Sequence, residues 1–256
     1  MNYYLTLASI LAVYMTLWFV VSIVKKRNDL ADVAWGLGFV LMAWSSLALS
    51  GNFGLRSLVA CVLVTIWGLR LAIHIYKRNK GRGEDYRYQA WRNAWGKLFY
   101  LRSFLQIYIL QGFLLFVIAV PVTMINSSLP THHGWFDLFG VLIWLFGFGF
   151  ESIGDAQLAA FLRNPENKGK ILQTGLWAYS RHPNYFGEVT QWWGLWVVAM
   201  NAPQNWISII GPMTITFLIL KVSGVPLLEK KMTENPEFAA YKQRVSMFIP
   251  WWPKKT

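Results

Sequence analysis

Residues 55–76, LRSLVACVLVTIWGLRLAIHIY, decide the fold class. The run is long enough for a helix to cross a hydrocarbon core of roughly 30 Å. Its apolar residues are continuous rather than alternating, which selects a membrane helix over a barrel strand. Six further runs have this character: 3–24, 31–50, 104–125, 135–153, 185–200 and 206–228. The run at 185–200 is short and polar at its start. The expectation is an all-α integral membrane protein with seven transmembrane helices, forming a single membrane domain over residues 1–256.

Composition agrees. Only 14% of the residues are charged, against about 25% in soluble domains. Basic residues cluster in the first polar loop, in 77–103, in 163–182 and in the tail, and seven spans put all four segments on one side. Arg56 is the basic residue of the opposite loops. The positive-inside rule then places the N-terminus outside and the C-terminus in the cytoplasm. The net charge of +12 is read as attraction to anionic lipid headgroups, not to nucleic acid. The first run has no basic residues before it and is too long for a cleavable signal peptide. The single cysteine, Cys61, excludes a disulfide framework and a cysteine-based metal site.

Two segments, 77–103 and 154–184, are too long for simple turns; with the tail, 229–256, they form the expected cytoplasmic side. The tail carries a predicted short helix near 236–245 and an aromatic end, Phe248 to Pro253, suited to an interfacial anchor. No metal site is expected, since His132 and His133 stand alone on an outer loop. Gly36-Leu37-Gly38 lacks the third glycine of a dinucleotide fingerprint and sits inside a span.

Ionisable residues at membrane depth are costly and normally face the bundle interior with partners. Asp32 opens the second run, Arg70 lies inside the third, and His74 follows Arg70 by one turn. A structural Asp32–Arg70 ion pair and a catalytic role are both open. Glu151 and Asp155 are four apart, so both carboxylates point to one helix face, which suits a ligand. The strongest motif is Gly175 to Glu188. It packs Tyr179, Arg181, His182, Asn184, Tyr185 and Glu188 into one stretch beside the membrane. Arginine offers a planar fork for phosphate or carboxylate, and Pro183 suits the entry to a helix.

The order Tyr, then Arg-His-Pro-Asn-Tyr, then Gly-Glu resembles the steroid 5-alpha-reductase family, in its bacterial branch. So do Asp32 to Gly36, Trp67 to Leu71 and Gly81 to Tyr88. The resemblance implies helices enclosing NADPH on the cytoplasmic side and hydride transfer to an activated carbon–carbon double bond, as in a 4-ene-3-oxosteroid or a similar lipophilic enone. By motif, Asn79, Arg82, Asp155, Arg163, Tyr179, Asn184, Glu188 and Tyr241 would contact the cofactor. Asp85, Arg87, Tyr88, Glu151, Arg181 and His182 join them on chemical grounds and on the branch's motifs. The better-known members use a Glu from span two and a Tyr from span three; here Gly38 or Phe39 stands near the first, and no Tyr occurs within 55–75. Asp32, Arg70 or His74 would then polarise the substrate carbonyl. Arg-His-Pro also resembles membrane methyltransferases of the isoprenylcysteine carboxyl methyltransferase type, which bind S-adenosylmethionine. A third reading is a non-enzymatic protein, either a transporter or a structural component. Transporters more often show broken helices near mid-membrane, whereas the polar groups here gather at one interface.

Overall fold

The computed structural model describes residues 2–128 and 134–254, and they are helical almost throughout; His132 and His133 lie outside them. Contacts divide the chain into two compact units, Met1–His133 with Ala202–Ile210, and Gly134–Asn201 with Gly211–Thr256.

In the first unit, α1 (Tyr3–Lys25), α2 (Leu30–Ser50) and α3 (Leu55–Asn79) are joined by short turns. The helix α4 (Tyr86–Trp95) begins at Asp85, whose side chain caps it by accepting from the Arg87 N–H. A short α5 (Phe99–Arg102), a π-helical stretch at Ser103–Ile109 and α6 (Leu110–Ile118) continue it. Pro121 then opens α7 (Val120–Ser127). Much of 77–103, expected as a polar cytoplasmic segment, is therefore helix. Where α2 crosses α3, a Cβ added at Gly36 would lie 2.6 Å from the Gly68 carbonyl oxygen, and one at Gly68 equally close to the Gly36 carbonyl. Gly36 is thus a backbone contact between helices of the small-residue kind common in membranes.

In the second unit, α8 (Trp135–Arg163) packs antiparallel along α9 (Pro183–Ala199). Gly140 meets Gly194 and Gly147 meets Gly187. A Cβ at Gly147 would sit 2.6 Å from the Gly187 carbonyl oxygen, and one at Gly194 2.7 Å from that of Gly140. Both helices repeat glycine every seven residues, which keeps it on one face. The unit is completed by α10 (Ile210–Phe217), α11 (Val225–Met232) and α12 (Pro236–Arg244). The last forms where the sequence predicts a short helix.

Six helical stretches among the described residues are long and apolar enough to cross a membrane: α1, α2, α3, Tyr86–Ile118, α8 and Pro203–Met232. The seventh expected span is α9. Its 17 residues reach about 25 Å at helical rise, short of a full hydrocarbon core.

Candidate functional site

Most of the candidate residues gather in two polar clusters, one in each unit, and in a further group around Glu229 in the second unit.

The first gathers around the α1–α2 turn and the start of α4. Arg27 grips Asp29 with two hydrogen bonds, Nε to Oδ1 at 3.0 Å and a terminal nitrogen to Oδ2 at 2.6 Å, and also donates to the carbonyls of Asn79, Arg82 and Gly83. Asn79 donates to Asp29 as well. Glu84 accepts from the Asn28 backbone N–H at 2.7 Å and, through its two oxygens, from Nε and Nη2 of Arg92, each at 2.9 Å. Asp32 accepts the Tyr88 hydroxyl at 2.6 Å and Arg87 at 3.0 Å, and Arg87 also pairs with Asp85. Burial pushes the Asp85 carboxyl up, but the hydrogen bonds from Arg87 outweigh it and hold the group below its ordinary value. Asp32, Asp85, Arg87 and Tyr88, drawn from two different readings of the sequence, thus form one network. Arg82 is exposed. Arg70 and His74 are half-buried one turn apart on α3 and have contacts of their own.

The second cluster lies on the face where α8 meets α9. The glycine contacts bring the backbones close enough for short side chains to bridge them. Asn184 donates its amide N–H to Asp155 Oδ1 at 3.0 Å. Two turns deeper, Gln191 donates to Glu151 Oε2 at 2.5 Å and to the Gly187 carbonyl. Glu151 and Gln191 are 3% and 1% exposed. The two amide oxygens, Asn184 Oδ1 and Gln191 Oε1, are buried and have no hydrogen-bond partner among the described residues. The amide orientations are dictated by their neighbours, since each nitrogen faces an acceptor and a flip would set oxygen against oxygen. Glu188 lies on the same face of α9, one turn after Asn184, and Arg163 is exposed at the end of α8.

The remaining motif residues are engaged with the C-terminal segment. Arg181 is buried and donates to Glu229 at 2.8 Å through Nε, and to the carbonyls of Lys242 and Val245. His182 Nε2 lies 3.3 Å from the same Glu229 oxygen. Burial lowers the His182 pKa; the Glu229 carboxylate opposes this without overcoming it. Tyr241 donates to the Trp177 carbonyl at 2.6 Å, and its phenol is pushed up by burial. Tyr179 is exposed; its carbonyl accepts from Trp251 and its ring meets Trp252 edge-on.

Sequence reading missed Gln191, Glu229, Arg27, Glu84 and Arg92. Gln191 was findable: it stands seven residues after Asn184, on the same helical face. Glu229 gave less signal, as one acid at the end of an apolar run. Among the described residues, no group of His, Cys, Asp and Glu could hold a metal ion.

Residues 18–245 match the model of the family described as "Protein of unknown function (DUF1295)", and the chain belongs to that family. An uncharacterised protein of Schizosaccharomyces pombe is 25% identical over 229 residues, a match covering 76% of this chain and 63% of the relative. The chain thus spans less than two thirds of that relative's length. No solved structure matches. These findings overturn the resemblance to the steroid 5-alpha-reductases: the family matched is DUF1295, and no reductase accompanies it. The segment behind the resemblance also has a packing task of its own, since Arg181 and His182 are buried against Glu229.

Proposed function

We propose that the chain is a membrane enzyme that reduces a lipophilic conjugated carbonyl compound with NADPH, held on the α8–α9 face. The observation that carries this reading is the pair of buried, unpartnered amide oxygens, Asn184 Oδ1 and Gln191 Oε1, set beside Asp155 and Glu151. A buried acceptor left unpaired costs about 1–3 kcal/mol, so the face is built for a ligand that brings N–H or O–H donors. NADPH brings both, in its ribose hydroxyls and its carboxamide, and when bound it supplies the hydride.

On this reading Asn184 and Gln191 accept from the ligand. Asp155 and Glu151 hold the two amides turned so that their oxygens remain available. Glu188 adds an acceptor, and the exposed Arg163 is free to meet phosphate at the end of α8. The glycine-to-glycine packing of α8 and α9 keeps water from the inner part of the face. Seven spans with the C-terminus in the cytoplasm would open the face to the cofactor pool, and the bilayer would deliver the apolar substrate.

A second reading, an S-adenosylmethionine-dependent methyltransferase, draws on one observation. Arg181, the cation of the motif that could meet a phosphate, is engaged with Glu229. S-adenosylmethionine carries no phosphate and does not need it.

The test is a parallel titration of the detergent-purified protein with NADPH, NADH and S-adenosylmethionine, followed by thermal unfolding. A ligand at 100 times its Kd stabilises the folded state by about 2.7 kcal/mol. Stabilisation by NADPH alone is the expected result. Stabilisation by S-adenosylmethionine alone would replace the reductase with the methyltransferase.

A further inference from the structure

We infer that Glu229 is a positioning residue for the ligand-holding face: through Arg181 it ties the C-terminal strap, residues 241–248, to residues 177–182, and so sets where Asn184 stands against Asp155. The inference rests on the reading that the α8–α9 face binds a ligand.

The tie is dense. Glu229 projects from α11 and accepts from Arg181 at 2.7 and 2.8 Å, with His182 at 3.3 Å and Lys242 at 3.5 Å. Arg181 uses four of its five N–H donors, two on Glu229 and one each on the Lys242 and Val245 carbonyls. Its own backbone N–H donates to the Ser246 carbonyl at 2.9 Å. Next to it, Ser180 donates to the Phe248 carbonyl at 2.8 Å and accepts the His182 N–H. Backbone, guanidinium and hydroxyl therefore hold three consecutive residues, 180–182, before the chain enters α9 at Pro183. Asn184 is the second residue of that helix, so an error in the strap is passed to it through a proline whose φ cannot adjust.

A buried ion pair is a poor source of stability, because desolvation offsets its attraction and an apolar pair of like volume does as well. It differs from an apolar contact in direction. A forked guanidinium accepts one placement of its carboxylate and its carbonyls, which gives the strap a single register. Arg181 and His182 thus act on the ligand site through the chain, without touching the ligand.

The experiment uses the full chain in detergent and compares wild type with Glu229→Gln, Glu229→Asp and Tyr241→Phe. It reads NADPH and S-adenosylmethionine affinity, the unliganded melting midpoint, and amide exchange at residues 181 and 185–188. Glu229→Gln is expected to weaken binding of the active ligand about tenfold, beyond any change in the fraction folded. It should speed exchange at both places, and Glu229→Asp should recover part of the affinity. Tyr241→Phe, a milder change that keeps the fold even if Glu229→Gln does not, should weaken binding about threefold. Unchanged affinity in every folded variant would overturn the inference. So would unchanged exchange at 185–188 despite faster exchange at 181, because the strap would then have loosened without moving the site. If wild type binds neither ligand, the functional reading fails. The positioning role is then judged on the exchange at 185–188 alone.

Discussion

In the first unit the carboxylates of Asp29, Asp32, Glu84 and Asp85 each meet an arginine, and the bonds interlock across the α1–α2 turn, α3 and the start of α4. On the α8–α9 face, Glu151 and Asp155 accept from neutral amides, and the amides keep a buried oxygen unpaired. The difference lies in how the unpaired groups are arranged. Buried polar atoms without a hydrogen-bond partner among the described residues occur in the first unit as well, at the Tyr108 hydroxyl and Gln111 Oε1. On the α8–α9 face two such acceptors stand two turns apart on one helix, the arrangement we propose for the donors of a ligand.

The largest effect should come from blocking the close approach that creates the second cluster. In Gly187→Leu the side chain meets the Glu151 backbone and the Gly147 carbonyl. We expect a loss of about 3 kcal/mol or more in stability together with loss of ligand binding, read by thermal unfolding with and without NADPH. Retained binding would show that the face does not depend on this packing.

Next comes the matched cluster. Asp32→Ala leaves Arg87 and Tyr88 without a carboxylate they both contact. The expected cost is about 2–3 kcal/mol of stability, with NADPH affinity little changed in the folded fraction. A variant as stable as wild type that had lost turnover would move Asp32 from structure to catalysis.

The unpaired acceptors should behave in the opposite way. Gln191→Leu removes a buried oxygen that has no partner, together with the amide's bonds to Glu151 and to the Gly187 carbonyl. Relief of the unpaired oxygen offsets part of the loss, so stability should fall by about 1–2 kcal/mol, less than at Asp32, while NADPH affinity falls at least about tenfold. A large stability loss with normal affinity would place Gln191 among the structural residues.

The smallest effect is one of pH. Burial lowers the His182 pKa below 6.5, its ordinary value. Between the lowered value and 6.5 the unfolded chain binds more protons than the folded one. Stability therefore rises with pH through that window and is fully present above it. The melting midpoint should fall as pH drops below 6.5, and His182→Gln should flatten this slope. An unchanged slope would assign it to another group.

The membrane helices were legible because their signal is local. Continuous apolar runs of helix-spanning length admit few alternatives once backbone groups must pair without water. The short helix near 236–245 was legible for the same reason, since Asn235 and Pro236 mark its start; in the structure it ends at Arg244, with Val245 already extended. Part of the site was legible too. The spacing of Glu151 and Asp155 set both on one face of α8, and that face is the one that meets Asn184 and Gln191. The glycine repeat at Gly140, Gly147 and Gly154 was present in the sequence, but its meaning depended on Gly187 and Gly194 facing it.

Arg181 shows where local reading ends. An arginine beside histidine, proline and asparagine offers the chemistry of a phosphate site, and nothing nearby in sequence says otherwise. Its partners, Glu229 and the carbonyls of Lys242 and Val245, lie 48 to 64 positions away. By itself the sequence determined an all-helical chain built for a membrane and the residue types available at its polar ends. Only the tertiary structure decided which of those residues are matched within the chain and which are left over. The first depends on the solvent each segment can tolerate, the second on long-range geometry that no spacing along the chain encodes.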